Sequence, residues 1–127
     1  MIDALFNDSN YVAAKKMMDA TVLRHEAIAS NLANIDTPNY KRLDVDASFS
    51  AQLNQALASG SVDQLAGLHP KLAVDTSAVA QSRDGNTVNL ETELANLQQN
   101  GLAHGLETQL INYTLQTLQT AITGRTV

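Results

Sequence analysis

The chain of 127 residues has no cysteine and no tryptophan. The first absence excludes a disulfide scaffold, a thiolate metal site and a cysteine nucleophile. It leaves the compartment open. Aromatics make up only 4% of the residues, and there are only two prolines. Aromatic side chains normally dominate core burial. The hydrophobic fraction of 44% therefore rests on small and aliphatic residues, with 18 Ala and 17 Leu. That composition suits helix-on-helix packing better than a β-sandwich, which favours β-branched and aromatic residues. No stretch approaches the roughly 20 apolar residues of a membrane span. A net positive charge is also missing. The formal charge is −5, and the one basic concentration (Lys15, Lys16, Arg24, Lys41, Arg42) has acids interspersed. This argues against nucleic acid as a partner. Residues Met1 to Asp8 show neither a basic start nor a long apolar run, so no cleaved secretory signal is expected.

One domain is expected at this length. Residues 9 to about 35 read as a helix with Ser9 as N-cap, and no Gly or Pro intervenes before Pro38. Tyr11, Ala14, Met18, Thr21, His25, Ile28, Leu32 and Ile35 recur at alternating steps of four and three, one helical face. Pro38 disfavours helix at Thr37 and sets a stop near Asp36. Ser48 can cap a short helix to about Ala58. Residues 59–87, with Gly60, Gly67, Gly85 and Pro70, read as loop-rich, where Leu72 to Val74 could form a short strand and the segment could hold a short hairpin.

Residues 89 to about 123 read as a second, longer helix, capped by Asn89 or Thr87, with Glu91 and Glu93 in its first turn. Leu90, Leu94, Leu97, Gly101, His104, Thr108, Ile111, Leu115, Leu118 and Ile122 share the four-three alternation. Leu102, Leu106, Leu110 and Tyr113 lie beside them. Gly124 is a natural stop, with Arg125 near the negative helix end. The fold expected is all-α dominated. Long N- and C-terminal helices pack as an antiparallel coiled-coil-like hairpin around Ile28, Leu32, Ile35, Leu94, Leu97, Ile111, Leu115, Leu118 and Ile122, and a loop-rich middle segment bridges them. The chain divides into an N-terminal helix (1–35), a middle segment (36–87) and a C-terminal helix (88–127). Gly101 and Gly105 each cost about 1 kcal/mol relative to Ala in a soluble helix. That cost suggests close approach of a neighbouring backbone, or a bend, against the plainer reading of a tolerated weakness.

From residue 88 onward only Glu91, Glu93, Glu107 and Arg125 are charged, and Gln, Asn and Thr fill the remaining polar positions. Such a face can be buried against another protein without desolvating charge. The alternative is a merely solvated polar helix.

Catalytic patterns are not found. His25-Glu26 begins like a zinc-protease His-Glu-x-x-His, but the second histidine position is Ala29. His104 and Glu107 have the reverse order of the Glu-x-x-His of di-iron bundles. Neither phosphate loops nor nucleophile elbows occur. No enzyme activity, metal or cofactor is expected.

One stretch is more specific: Ala29-Ser-Asn31-Leu-Ala-Asn34-Ile-Asp36-Thr37-Pro38-Asn-Tyr40-Lys41. It resembles the N-terminal signature of bacterial flagellar rod and hook proteins. The run from Thr37 to Asp44, and the block Asp84-Gly85-Asn86-Thr87-Val88 before the last helix, look most like the proximal-rod branch. Asn39 stands where the family more often has Gly, and Asn tolerates a positive φ. On physical grounds Asn31 and Asn34 can bond orphan carbonyls in the last turn of the first helix. Asp36 and Thr37 can fold back, and Tyr40 can anchor the exit with ring and hydroxyl.

The resemblance implies a structural subunit of the flagellar basal-body rod, exported by the flagellar type III apparatus to the periplasm. It implies a helical hetero-assembly that transmits torque and lines the export channel. Partners would be other rod proteins, the rod-to-export-gate adaptor and the export gate, with no nucleic acid. Asn31, Asn34, Asp36, Thr37, Pro38 and Tyr40 would form a subunit-contact motif. Phe49 and Leu53 fit the family's export-gate motif, although this pair is equally a local packing pair on a short helix. The resemblance also implies helix ends that become well ordered only in the assembly. A different class remains in view, a soluble helical adaptor or secretion chaperone.

Overall fold

The computed structural model describes residues 8–80 and 82–124. Met1 to Asn7 and Arg125, on which two of the expectations above fall, lie outside the described residues. Two long helices frame the molecule: α1 (Ser9–Ala33) and, at the far end of the chain, α4 (Leu90–Thr123). At 1.5 Å per residue they are about 37 and 51 Å long. Between them come β1 (Leu43–Val45), α2 (Ser48–Ser59), α3 (Val62–Gly67) and β2 (Leu72–Val74).

The start of α1 differs by one residue from expectation. Asp8, not Ser9, is the N-cap, because its carboxylate accepts the Asn10 N–H at 3.0 Å. Its end comes two residues early. The Asn34 N–H turns back to the Ser30 and Asn31 carbonyls, and the Thr37 N–H bonds the Asn34 carbonyl at 3.0 Å, so the chain has left the helix before Pro38. Helix α4 begins and ends as its sequence signals: Asn89 accepts the Thr92 N–H at 3.0 Å, and Gly124 closes it at φ 63°.

The middle segment has more structure than its composition suggested. The short helix α3 is capped by Ser61. The strands β1 and β2 pair antiparallel across the whole insertion, Leu43 opposite Val74 and Val45 opposite Leu72. The apolar core lies where this segment meets α1. Val45, Phe49, Leu53, Ala56 and Leu65 pack with Ala13, and Val12, Ala20 and Leu23 of α1 adjoin them. Small residues on α1 let the middle segment approach closely.

The other contact of α1 is with α4, and here the expected seam is corrected. The residues that α4 buries are Glu93, Asn100 and Glu107, seven apart. Leu97, Ile111 and Leu118 are half-buried beside them, whereas Leu94, Leu115 and Ile122 are exposed within the chain. A Cβ built at Gly101 or Gly105 meets nothing within 4 Å, so no neighbouring backbone of this chain explains either glycine. On α1, Ile28 is fully buried and Leu32 is half-buried, as is Ile35 in the turn beyond the helix. The helices do form the antiparallel hairpin, but the residues that α4 buries in it are polar.

Candidate functional site

The stretch at the end of α1 folds into a latch that binds the exit of α1, strand β1 and the start of α4. Asn31 is fully buried. It holds strand β1 from both sides: its Nδ2 donates to the Leu43 carbonyl and its Oδ1 accepts the Leu43 N–H, each at 2.8 Å. The same Nδ2 reaches the Glu93 carboxylate at 3.2 Å. Asn31 thus turns inward, while the Asn34 side chain bonds a carbonyl of the helix end, that of Ser30, at 2.9 Å, which also accepts the Asn34 N–H at 3.2 Å. The Thr37 hydroxyl donates to Asn34 Oδ1 at 3.2 Å. The Tyr40 hydroxyl pairs with that of Ser30 at 3.0 Å, bracing the chain against α1 as a ring with a polar tip can.

The block before α4 completes the latch. Asn86, 2% exposed, donates through Nδ2 to three carbonyls, those of Asn34, Ile35 and Thr37, at 2.8–2.9 Å. These carbonyls belong to the turn that follows α1, and two of them, those of Asn34 and Thr37, also accept the Thr37 and Tyr40 N–H groups. The Asn39 N–H bonds the Asp84 carbonyl at 2.8 Å, and Asn39 sits at φ 60°, the left-handed region expected for it. Opposite it, Gly85 lies at φ 77°, and a Cβ there would stand 2.7 Å from Asn39 Oδ1. The conformation favours glycine, and any larger residue there would have to displace the Asn39 side chain.

Beneath the latch lies a charge cluster centred on Arg42, whose side chain is 8% exposed. Its guanidinium meets Glu93 at 2.6 Å, Asp75 at 2.6 Å and Asp44 at 2.9 Å. Arg24 of α1 adds a bond to Asp44 at 3.0 Å. Burial works against the charge on Arg42, but Glu93 and Asp44 hold its pKa above the ordinary arginine value. Burial likewise opposes ionisation of Asp44; hydrogen bonds from Arg24, the Val45 N–H and Arg42 outweigh it and keep the carboxyl below the usual carboxylate range. Asp75 is held low first by the Ser77 hydroxyl, with Arg42 adding to it. Further along the seam, Asn100 donates to the Thr21 carbonyl at 2.8 Å. The Thr21 hydroxyl lies 2.8 Å from the Glu107 carboxylate.

Of the residues expected to contact other subunits, Asn31 is buried, Asn34 and Tyr40 are half-buried, and Asp36, Thr37 and Pro38 are exposed. Phe49 and Leu53 are both in the core. Sequence reasoning missed Arg42, Asn86, Glu93 and Asn100 as organisers. The seven-residue spacing of Glu93, Asn100 and Glu107 was the available signal, since it places three polar groups on one helical face. Among the described residues no group of three His, Asp or Glu side chains is placed to hold a metal ion, and no helix is long and apolar enough to cross a membrane.

Comparison with known proteins bears on the same stretch. The family model described as "Flagella basal body rod protein" matches residues 18–41, which contain Asn31 and Asn34 of the latch but not Asn86. The chain is similar to the flagellar basal body rod protein FlgB of Cereibacter sphaeroides, with 34% identity over 80% of this chain and 84% of the relative. It is similar to FlgB of Aquifex aeolicus at 32% identity, covering 87% and 90% of the two chains. FlgB of Salmonella typhimurium is 26% identical over 98% and 99% of the two.

Proposed function

Since the chain belongs to the family of flagellar basal body rod proteins named FlgB, we propose that it is a proximal-rod subunit held by neighbours along the outer side of α4. It is a structural component of the flagellar basal-body rod and not an enzyme. The observation that supports the finer reading is an uncovered apolar row. Leu102, Leu106, Leu110 and Tyr113 are 67, 59, 52 and 70% exposed. Helix α4 carries three charged residues, and two of them, Glu93 and Glu107, are buried, which leaves Glu91 as its one exposed charge. A contiguous apolar face with almost no charge is a surface suited to burial by another protein.

In this reading subunits repeat with helical symmetry, so that one face of each meets a different face of the next. The rod so built transmits torque and lines the export channel. Its partners are other rod proteins, the rod-to-export-gate adaptor and the export gate, and its place is the periplasm, reached without a cleaved signal. Asn31, Asn34 and Tyr40 shape the subunit-contact motif from within. Its exposed ridge, Asp36, Thr37 and Pro38, is what a neighbour touches. Phe49 and Leu53 act as an export-gate motif only while α2 is unfolded, because folding buries both.

Electron cryomicroscopy of purified basal bodies tests this. The expected result is this chain in the proximal rod with Leu106 and Tyr113 against another chain. A rod assembled in full by a strain lacking the gene overturns it, and would return the soluble adaptor or secretion chaperone to first place.

A further inference from the structure

Asn100 and Gly101 stand side by side in the middle of α4, where neither suits its place. Asn100 is 5% exposed, and its Nδ2 donates to the Thr21 carbonyl at 2.8 Å. A carbonyl can only accept, so the orientation of the amide is fixed. Its Oδ1 is closed to solvent and has no hydrogen-bond partner among the described residues. A buried acceptor left unpaired is destabilising. Gly101 is exposed, with open space where a Cβ would be, and glycine is a weaker helix former than alanine. Packing and propensity alone therefore favour other residues at both positions.

What the pair does have is a reactivity. An asparagine carboxamide can be attacked by the backbone nitrogen of the residue that follows it. Glycine, with no side chain in the way and wide backbone freedom, permits this most readily. Asn100 is the one asparagine of the chain followed by glycine. In the folded chain the reaction is shut. The Gly101 N–H is held in the helix, the carboxamide is tied to Thr21, and almost no water reaches it. We propose that Asn100-Gly101 is a deamidation site that only the unfolded chain exposes, and that its modification bars α4 from closing on α1. The Gly101 nitrogen loses its proton and bonds to Asn100 Cγ, and the Cγ–Nδ2 bond breaks to release ammonia. The cyclic imide then takes up a water. Opening at Cγ gives aspartate, and opening at the main-chain carbonyl gives isoaspartate.

Either product spoils the seam. Aspartate has no N–H for the Thr21 carbonyl and sets a carboxylate oxygen against it. It also adds a third carboxylate to the row of Glu93 and Glu107, both buried, while Arg42 is already shared by Glu93, Asp75 and Asp44. Isoaspartate adds a methylene to the main chain and breaks the helical hydrogen-bond ladder there. An unfolded chain thus has a limited time in which it can still fold, and a folded one does not age at this site. This holds whether or not the chain is a rod subunit.

The test is to hold the full chain at neutral pH, one sample in buffer and one in guanidinium chloride, and to map its peptides by mass over days. The peptide with Asn100 is expected to gain the mass of an NH-for-O exchange more than about tenfold faster in the unfolded sample, since in the folded one only local opening frees the pair. Equal rates overturn the proposal. The modified chains, separated by charge and returned to buffer, are expected to show less helix and a lower melting temperature than unmodified chains treated alike. Full recovery overturns it. Asn100→Asp, made directly, is expected to show the same loss without any ageing, and native melting of this variant overturns the seam argument. Gly101→Ala removes the reactivity and leaves the buried amide in place. Its rate in guanidinium chloride is expected to fall about tenfold, because alanine restricts the backbone. Its capacity to refold should then outlast that of the unaltered chain by the same factor. If that capacity decays as fast in both, the loss has another cause and the site has no such role.

Discussion

Helix α1 is closed on two sides by different forces. Toward the middle segment it meets Val45, Phe49, Leu53 and Leu65, a contact made of hydrocarbon. Toward α4 it meets Glu93, Asn100 and Glu107, a contact whose hydrogen bonds come from Asn31 and Thr21 and whose charge is balanced in part by Arg42. Hydrophobic burial is non-directional and tolerates small slides. The polar seam does not. A shift of α4 by one turn would take Glu93 from both Arg42 and Asn31 and leave a charge buried alone, which is costly. The apolar side makes the molecule compact, and the polar side sets the register of the two long helices. With the seam made of polar groups, the leucines of α4 are free to face outward.

Breaking the polar side should have the largest effect. Arg42→Met leaves Glu93 buried without its cation and should cost roughly 3–5 kcal/mol in denaturant unfolding. Adding Glu93→Leu to it should recover much of that loss, because an apolar pair can replace a buried ion pair. If the double variant is no better than the single, geometry rather than charge balance holds the seam. Next comes the apolar side. Leu65→Ala, at a fully buried site, should cost about 2–4 kcal/mol. It should leave the α1–α4 register intact, as read by the spacing of a spin-label pair across the seam. Acid should have the smallest effect. Asp44 and Asp75 have carboxyls held below their ordinary values, so their contribution is present above about pH 4 and is lost as pH falls through the lower folded values. The melting temperature should drop below about pH 4, and Asp44→Asn should flatten that drop. An equal acid response in Asp44→Asn would remove the Arg24–Asp44–Arg42 chain from the account.

Both long helices were legible in the sequence to within two residues, because propensity and cap signals act locally: Asn89 and Gly124 do what such residues do at helix ends. The strand at Leu72 to Val74 was legible too. Its partner Leu43 to Val45 was not, for the alternation Leu43-Asp44-Val45-Asp46 is too short to mark a strand by itself. The seam was misread for a physical reason. Leucines stand on several sides of α4, so counting them does not say which side turns inward. That choice belongs to Glu93 and Glu107, whose partners Asn31 and Thr21 lie 62 and 86 residues away. The latch was half legible. The asparagines, Thr37 and Tyr40 stood out, but the three-carbonyl grip of Asn86 joins two stretches that no local pattern connects.

The long separations of the seam also impose an order in time. The hydrocarbon cluster between α1 and the middle segment is complete once Leu68 has emerged, whether from a ribosome or from any conduit passed N-terminus first. Glu93, Asn100 and Glu107 arrive later, and loop closure over such distances is slower. A chain delivered in that direction therefore folds as a compact knot trailing an unpaired strand of leucines. Only the arrival of its last third gives that strand a place to lie.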